Sequence, residues 1–143
     1  MFIKQLAVFL ENKKGRLGSL ASVIANNGID LYALSIADTT NFGILRALTD
    51  DTERAVEILR AEGYMVNVTE VIAAQVPDRP GGLAEVLALL DESNIAVEYL
   101  YSFVRNPSDS ALILFRVSDT ASALTALTGA GIRLISKEEL ARK

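Results

Sequence analysis

No cysteine and no histidine occur anywhere in the chain. The first absence excludes disulfides and thiol nucleophiles. The two together exclude Cys/His metal centres and every Ser-His or Cys-His catalytic arrangement. Without histidine the usual general base near neutral pH is also gone, so any chemistry would rest on carboxylates, lysines or tyrosines. Clustered positive charge is scarce as well. The net charge is −4, and no basic cluster is longer than Lys13-Lys14 with Arg16, which argues against a nucleic-acid surface. No apolar run approaches the roughly 20 residues of a membrane helix. The start, Met1-Phe2-Ile3-Lys4-Gln5, lacks the basic-then-apolar order of a signal peptide. The expectation is a cytoplasmic protein with no membrane and no nucleic-acid partner.

What is present is a plan written twice. Asn12-Lys13-Lys14-Gly15-Arg16-Leu17 is answered 66 positions later by Asp78-Arg79-Pro80-Gly81-Gly82-Leu83. Each block follows an alternating apolar stretch and opens an amphipathic one. Ile3 to Leu10 reads as a strand. Leu17, Leu20, Ala21 and Ile24 then fall at helical spacing, and Asn26-Asn27-Gly28 stops the helix. Leu31 to Ala37 and Phe42 to Thr49 read as strands, with a hairpin turn from Asp38 to Asn41 between them. Asp50-Asp51-Thr52 offers caps to a helix carrying Ala55, Ile58 and Leu59 inward. Gly63 ends it, and Tyr64 to Val68 is a fourth strand.

The order then begins again. Val71 to Val76 is a strand, and Leu83, Val86, Leu87 and Leu90 repeat the helical spacing. Val97, Tyr99, Tyr101 and Phe103 alternate as a strand, Asn106 to Asp109 is a turn, and Ala111 to Val117 is a strand. Ser118-Asp119-Thr120 caps a helix holding Ala123, Leu124 and Leu127. Ile132 to Ser136 closes the unit, and Lys137 to Lys143 reads as a frayed charged tail. Each βαββαβ unit predicts a four-stranded antiparallel sheet with two helices on one face. The fold class expected is α+β, two tandem ferredoxin-like domains with antiparallel sheets, over residues 1–70 and 71–143. Domains of about 70 residues are marginal alone, and edge strands need cover, so the units should pack side by side or pair with a second chain.

With these elements and this doubled turn, the chain resembles a tandem ACT-domain protein. Asp78-Arg79-Pro80-Gly81-Gly82-Leu83 is very close to the family's Asp/Asn-Arg-Pro-Gly-x-Leu pattern. Asn12-Lys13-Lys14-Gly15-Arg16-Leu17 keeps the asparagine and glycine and lacks the proline. The resemblance implies a regulatory module that binds an amino acid or similar metabolite where two such domains meet. In serine-binding members an asparagine of the turn and one before the second strand hold the ligand. By position these are Asn12 and Asp30 in the first unit, and Asp78 and Ala96 in the second, where the alanine departs from the pattern. The resemblance implies no enzyme activity, no catalytic residue, no metal and no cofactor. It implies a free-standing regulatory protein, a homodimer. The alternative is a regulatory interaction subunit of an amino-acid biosynthetic enzyme, binding that partner protein rather than a ligand.

The residues themselves suit such a ligand. A carboxylate is favoured by the free amides and the dipole at a helix N-terminus. Gly15-Arg16-Leu17-Gly18 and Gly81-Gly82-Leu83-Ala84 would supply those amides, with Gly15 and Gly81 at positive φ. Asn12, Asp30 and Asp78 would meet the ammonium. Leu17 and Leu31 would meet an aliphatic side chain, and Lys14 and Arg16 would steer an anion. The candidate ligand-binding set is therefore Asn12, Lys14, Gly15, Arg16, Leu17, Asp30, Leu31, Asp78, Gly81, Gly82 and Leu83. Blander readings stand beside it. The glycines serve plain turns, Asn12 and Asp78 cap their helices, Asp30 is a solvated turn residue, and the basic trio is a solvated loop. Tyr99, Tyr101 and Phe103 read as core or interface rather than a base-stacking platform. Glu85, Asp91 and Glu92 read as the solvent face of a helix.

Overall fold

The computed structural model describes residues 2–38, 42–103 and 111–141. Its elements are β1 (Ile3–Glu11), α1 (Arg16–Asn26), β2 (Leu31–Asp38), β3 (Phe42–Thr49), α2 (Thr52–Ala61), β4 (Met65–Val76), α3 (Gly82–Glu92), β5 (Val97–Ser102), β6 (Ala111–Val117), α4 (Thr120–Gly129), β7 (Leu134–Ile135) and α5 (Lys137–Ala141). The chain forms two compact units, Lys4–Thr69 and Glu70–Lys143, the latter together with Met1–Ile3. Each is an α+β ferredoxin-like domain with an antiparallel sheet. Of the turn expected from Asp38 to Asn41, Asp38 is the last residue of β2 and residues 39–41 lie outside the described residues, as does the turn expected at 106–109. No helix among the described residues is long and apolar enough to cross a membrane.

In the first unit the strand order is β2-β3-β1-β4. Val8 lies opposite Leu45, and Leu45 in turn lies opposite Ile36. Side chains alternate across a strand, so Leu6, Val8, Leu10 and Leu45 share the face below the helices. Leu20 and Ile24 of α1, Ala55 and Leu59 of α2, and Val66 of β4 close the core over them. In the second unit the order is β5-β6-β4-β7. Ile72, Ala74, Ile113 and Phe115 pack beneath Val86 and Leu90 of α3 and Ala123 and Leu127 of α4. Full burial of a residue such as Phe115 or Leu90 contributes about 1.5–3 kcal/mol each.

Three expectations are corrected here. The strands expected at Tyr64 to Val68 and Val71 to Val76 are one continuous strand, Met65–Val76, of 12 residues. The polar Thr69 does not break it, because the buried Gln5 amide donates to the Thr69 hydroxyl at 2.9 Å. The charged tail is helical through Ala141 rather than frayed. Ser136 accepts from the Glu139 amide at 3.2 Å, the Glu139 carboxylate returns to the Ser136 amide at 3.4 Å and pairs with Arg133, and Leu140 is buried. This is a capping box, in which each residue's side chain accepts from the other's orphan amide. Finally, Leu17 and Ala21 carry the helical spacing but stay exposed, and only Leu20 and Ile24 of α1 are buried.

The second helix of each unit starts on an aspartate. Asp51 accepts from the Arg54 amide at 3.2 Å, and Asp119 from the Ser122 amide at 3.1 Å and hydroxyl at 2.7 Å. The Ser122 hydroxyl, then the Ser122 amide, hold the Asp119 carboxyl below its ordinary value. A depressed folded-state pKa gives stability that is present above about pH 4 and lost as pH falls through the lower folded value. Asp119→Ala is therefore expected to lower the thermal midpoint at pH 7 and to converge with the parent in strong acid. Melting curves across pH check this, and a gap that does not change with pH would refute the cap.

Candidate functional site

The turn between strand and first helix is the same object twice. In the first unit the Lys13 amide donates to the Glu11 carbonyl at 2.8 Å, Arg16 to Lys13 at 3.3 Å, and Ser19 to Gly15 at 2.9 Å. In the second, Arg79 donates to Pro77, Gly82 to Arg79 and Glu85 to Gly81, each at 3.0 Å. Gly15 and Gly81 are the N-caps, both left-handed at φ +87°, with no side-chain capping bond. Asn12 and Asp78 are thus not the caps. An L side chain at such a φ is strained, which is why glycine stands at both places. The amides of Leu17 and Gly18, and of Leu83 and Ala84, have no carbonyl within their own helix to meet.

The two mouths differ in charge. At the first, Glu11 is held by Lys13 at 3.0 Å and Arg16 at 3.1 Å. The Lys13 hydrogen bond, then the Lys13 and Arg16 charges, keep the Glu11 carboxyl below its ordinary value. One carboxylate against two cations, beside the exposed Lys14, leaves a positive rim. The first turn of α1 carries no acidic residue, whereas that of α3 carries Glu85. Glu85 is bound at 2.7 and 3.0 Å by Arg79. The helix dipole and the local charge therefore both favour an anion at α1, and compete at α3.

A cleft of about 200 Å³ opens at the first mouth. Asn12, Arg16 and Leu17 line it, together with Glu11, Ile36 and Gly43. Asp30 and Leu31 lie elsewhere. Leu10 pairs with Gly43 at one end of β3 and Leu31 with Thr49 at the other. Six residues of strand separate those ends, about 20 Å. One copy of the unit therefore does not bring Asn12 and Asp30 together. Leu31 is half-buried against the core. The Asp30 backbone is pinned by Asp50, whose amide donates to the Asp30 carbonyl at 3.2 Å and whose carboxylate accepts from the Asp30 amide at 3.0 Å. Ser118 holds Ala96 in the same way at 2.9 and 3.1 Å.

In the second unit Asp78 is exposed, Gly81 is the cap and Leu83 packs against the core. Gly82 is buried, and a Cβ there would lie 1.9 Å from the Pro77 carbonyl oxygen. Its glycine is a packing requirement. Sequence reasoning missed Glu11, Ile36 and Gly43 as cleft residues and Asp50 as the clamp on Asp30. The pair Lys13 and Arg16 flanking Glu11 was a readable signal for the first. The others need the register of β3.

A family model described as an ACT domain pair matches residues 1–143. Among solved structures, a protein from Bacteroides thetaiotaomicron is 36% identical with a TM-score of 0.93, the match covering 100% of this chain and 98% of that one. The ligand-free regulatory subunit of aspartate kinase from Thermus thermophilus is 15% identical with a TM-score of 0.64, over 89% of this chain and 91% of that one. The regulatory subunit of aspartate kinase from Thermus flavus is 13% identical with a TM-score of 0.61, over 90% and 92%. The likeness to these two subunits is one of fold. No curated protein matches the chain.

Proposed function

We propose that this chain, which belongs to the ACT domain-pair family, is a cytoplasmic, non-catalytic regulatory protein that binds a free amino acid at the mouth of α1. Its two domains are residues 1–70 and 71–143. The ligand carboxylate meets the Leu17 and Gly18 amides and the Arg16 guanidinium, with Lys14 steering it in and Gly15 letting it approach the backbone. The ammonium meets Asn12. An aliphatic side chain meets Leu17 and Ile36.

The observation that carries this reading is the coincidence of cleft and bare strand. Leu17, Leu34 and Ile36 are 46%, 41% and 41% exposed. Leu34 and Ile36 stand on β2, at the end of the first unit's strand order, and Ile36 lines the cleft. Pairing β2 antiparallel with β2 of a second copy would cover them. It would also set the start of the partner's β2 beside the end of this one, bringing the partner's Asp30 toward Asn12 and completing the ammonium site. The protein is then a homodimer, and a ligand that prefers the closed seam shifts the population toward it.

At the second mouth, Asp78, Gly81, Gly82 and Leu83 form the matching turn, but Ala96 replaces Asp30 and Glu85 opposes an anion. One ligand per chain is the expected stoichiometry. Titration calorimetry with a panel of amino acids, joined to sedimentation of the dimer, tests both statements. No heat from any amino acid, together with co-purification of an amino-acid biosynthetic enzyme, would replace this reading by the interaction-subunit one.

A further inference from the structure

A second cleft opens at the same end of the first unit's sheet, and it is nearly twice as large, about 380 Å³. Its walls are Phe9, Phe42, Tyr64 and Met65, and its polar end is Glu11 with Arg16. Phe9 and Glu11 alternate with Val8 and Leu10, so they lie on the face of β1 away from the helices, and Phe42 pairs with Glu11. We propose that this cleft is a second binding site, adjoining the first at Arg16, for a small organic anion with a flat apolar body, an aryl carboxylate. It shares Leu10, Glu11 and Arg16 with the smaller cleft, and it goes beyond the amino-acid site in its apolar walls, which need no second copy of the chain.

Three observations carry the proposal. The volume falls within the range of ordinary ligand pockets, and the lining is mostly apolar with a few convergent polar groups, as such pockets are. The apolar walls are open to water, with Phe42 54% and Met65 70% exposed. A contiguous apolar surface of that kind signals something that covers it. The polar end decides what. Glu11 faces Lys13 at 3.0 Å and Arg16 at 3.1 Å, so that end keeps a surplus positive charge. A planar guanidinium pairs with a carboxylate through two parallel bonds. An amine of the same shape would meet the Arg16 cation instead, with the Glu11 carboxylate already held by Lys13. A purely apolar ligand would leave Arg16 unused.

The test uses the intact protein and indole-3-propionate. The chain has no tryptophan, so the probe's indole emission is read without background. Its anisotropy should rise on titration with a Kd of about 0.1–1 mM, and tryptamine should bind at least about tenfold more weakly. Met65→Asp, at an exposed position the fold does not depend on, should weaken the probe about tenfold or more. Val68→Ser, exposed but outside the cleft, should leave it unchanged. In amide spectra Gly63, which lines this cleft, should shift and Gly43, which lines the smaller one, should not. An amino acid at the α1 mouth should do the reverse, so either site can fail alone. No binding at about 10 mM, equal binding of tryptamine, indifference to Met65→Asp, or a shift at Gly43 instead of Gly63 would each overturn the proposal. So would a smaller assembly for Met65→Asp, which would make the face a contact between copies.

Discussion

Neither Asn12→Ala nor Asp30→Ala protein should bind the amino acid well by itself, and an equal mixture of the two should recover binding. Each substitution removes a hydrogen-bonding partner of a charged ammonium, a loss of about 10- to 100-fold in affinity. Within one copy the two positions stand at opposite ends of β3, about 20 Å apart, so a single copy holding both contacts is excluded by the register. In the proposed dimer, a seam between two β2 strands would assemble each site from Asn12 of one copy and Asp30 of the other. After co-refolding, half of the dimers are mixed and each keeps one intact site of two, so about a quarter of the parental capacity should return at parental affinity. Calorimetric stoichiometry reads this directly. Recovery of nothing, or full affinity in either variant alone, would remove Asp30 from the site and the seam with it.

Gly82→Ala should cost the fold more than any other glycine substitution in the doubled turn. The added methyl carbon would sit 1.9 Å from the Pro77 oxygen and 2.9 Å from the Pro77 carbonyl carbon. Both are backbone atoms, so no rotamer relieves the overlap and the turn itself must open. A loss of about 3 kcal/mol or more is expected. Gly15→Ala meets nothing within 4 Å but sits at φ +87°, and should cost about 1–2 kcal/mol. Gly18→Ala meets open space at an ordinary helical φ, and should gain about 0.5–1 kcal/mol. Urea denaturation orders the three, and a Gly82→Ala protein as stable as its parent would show that the turn relaxes freely. The comparison bears on function as well. Arg16 is the first unit's counterpart of Gly82, so the second mouth has a tight backbone approach where the first has a cation.

Much of the plan was legible because it is local. Leu20 and Ile24, or Val86 and Leu90, announce their helices by spacing alone. Asp50-Asp51-Thr52 and Ser118-Asp119-Thr120 announce the caps that Asp51 and Asp119 supply, and the register of Asn12 to Leu17 against Asp78 to Leu83 announces the doubling. The geometry of the doubled turn was legible too, since Gly15 and Gly81 hold the positive φ that glycine in such a turn suggests. What failed was whatever depends on a partner distant in sequence. Thr69 and Glu70 read as a break between two strands because the Gln5 amide that satisfies Thr69 lies 64 residues away. Leu17 reads as core because periodicity marks a face of a helix without saying how far the sheet beneath it extends.

By itself, then, the sequence determined the order of elements, the two glycine-opened helices and the absence of thiol and imidazole chemistry. These follow from residue type and spacing within a dozen positions. Only the tertiary structure decided that β4 is a single strand, that Asn12 shares a cleft with Ile36 and not with Asp30, and that a larger apolar cleft lies beyond Arg16. Strand register and sheet order set those distances, and they are fixed by packing between residues far apart in the chain.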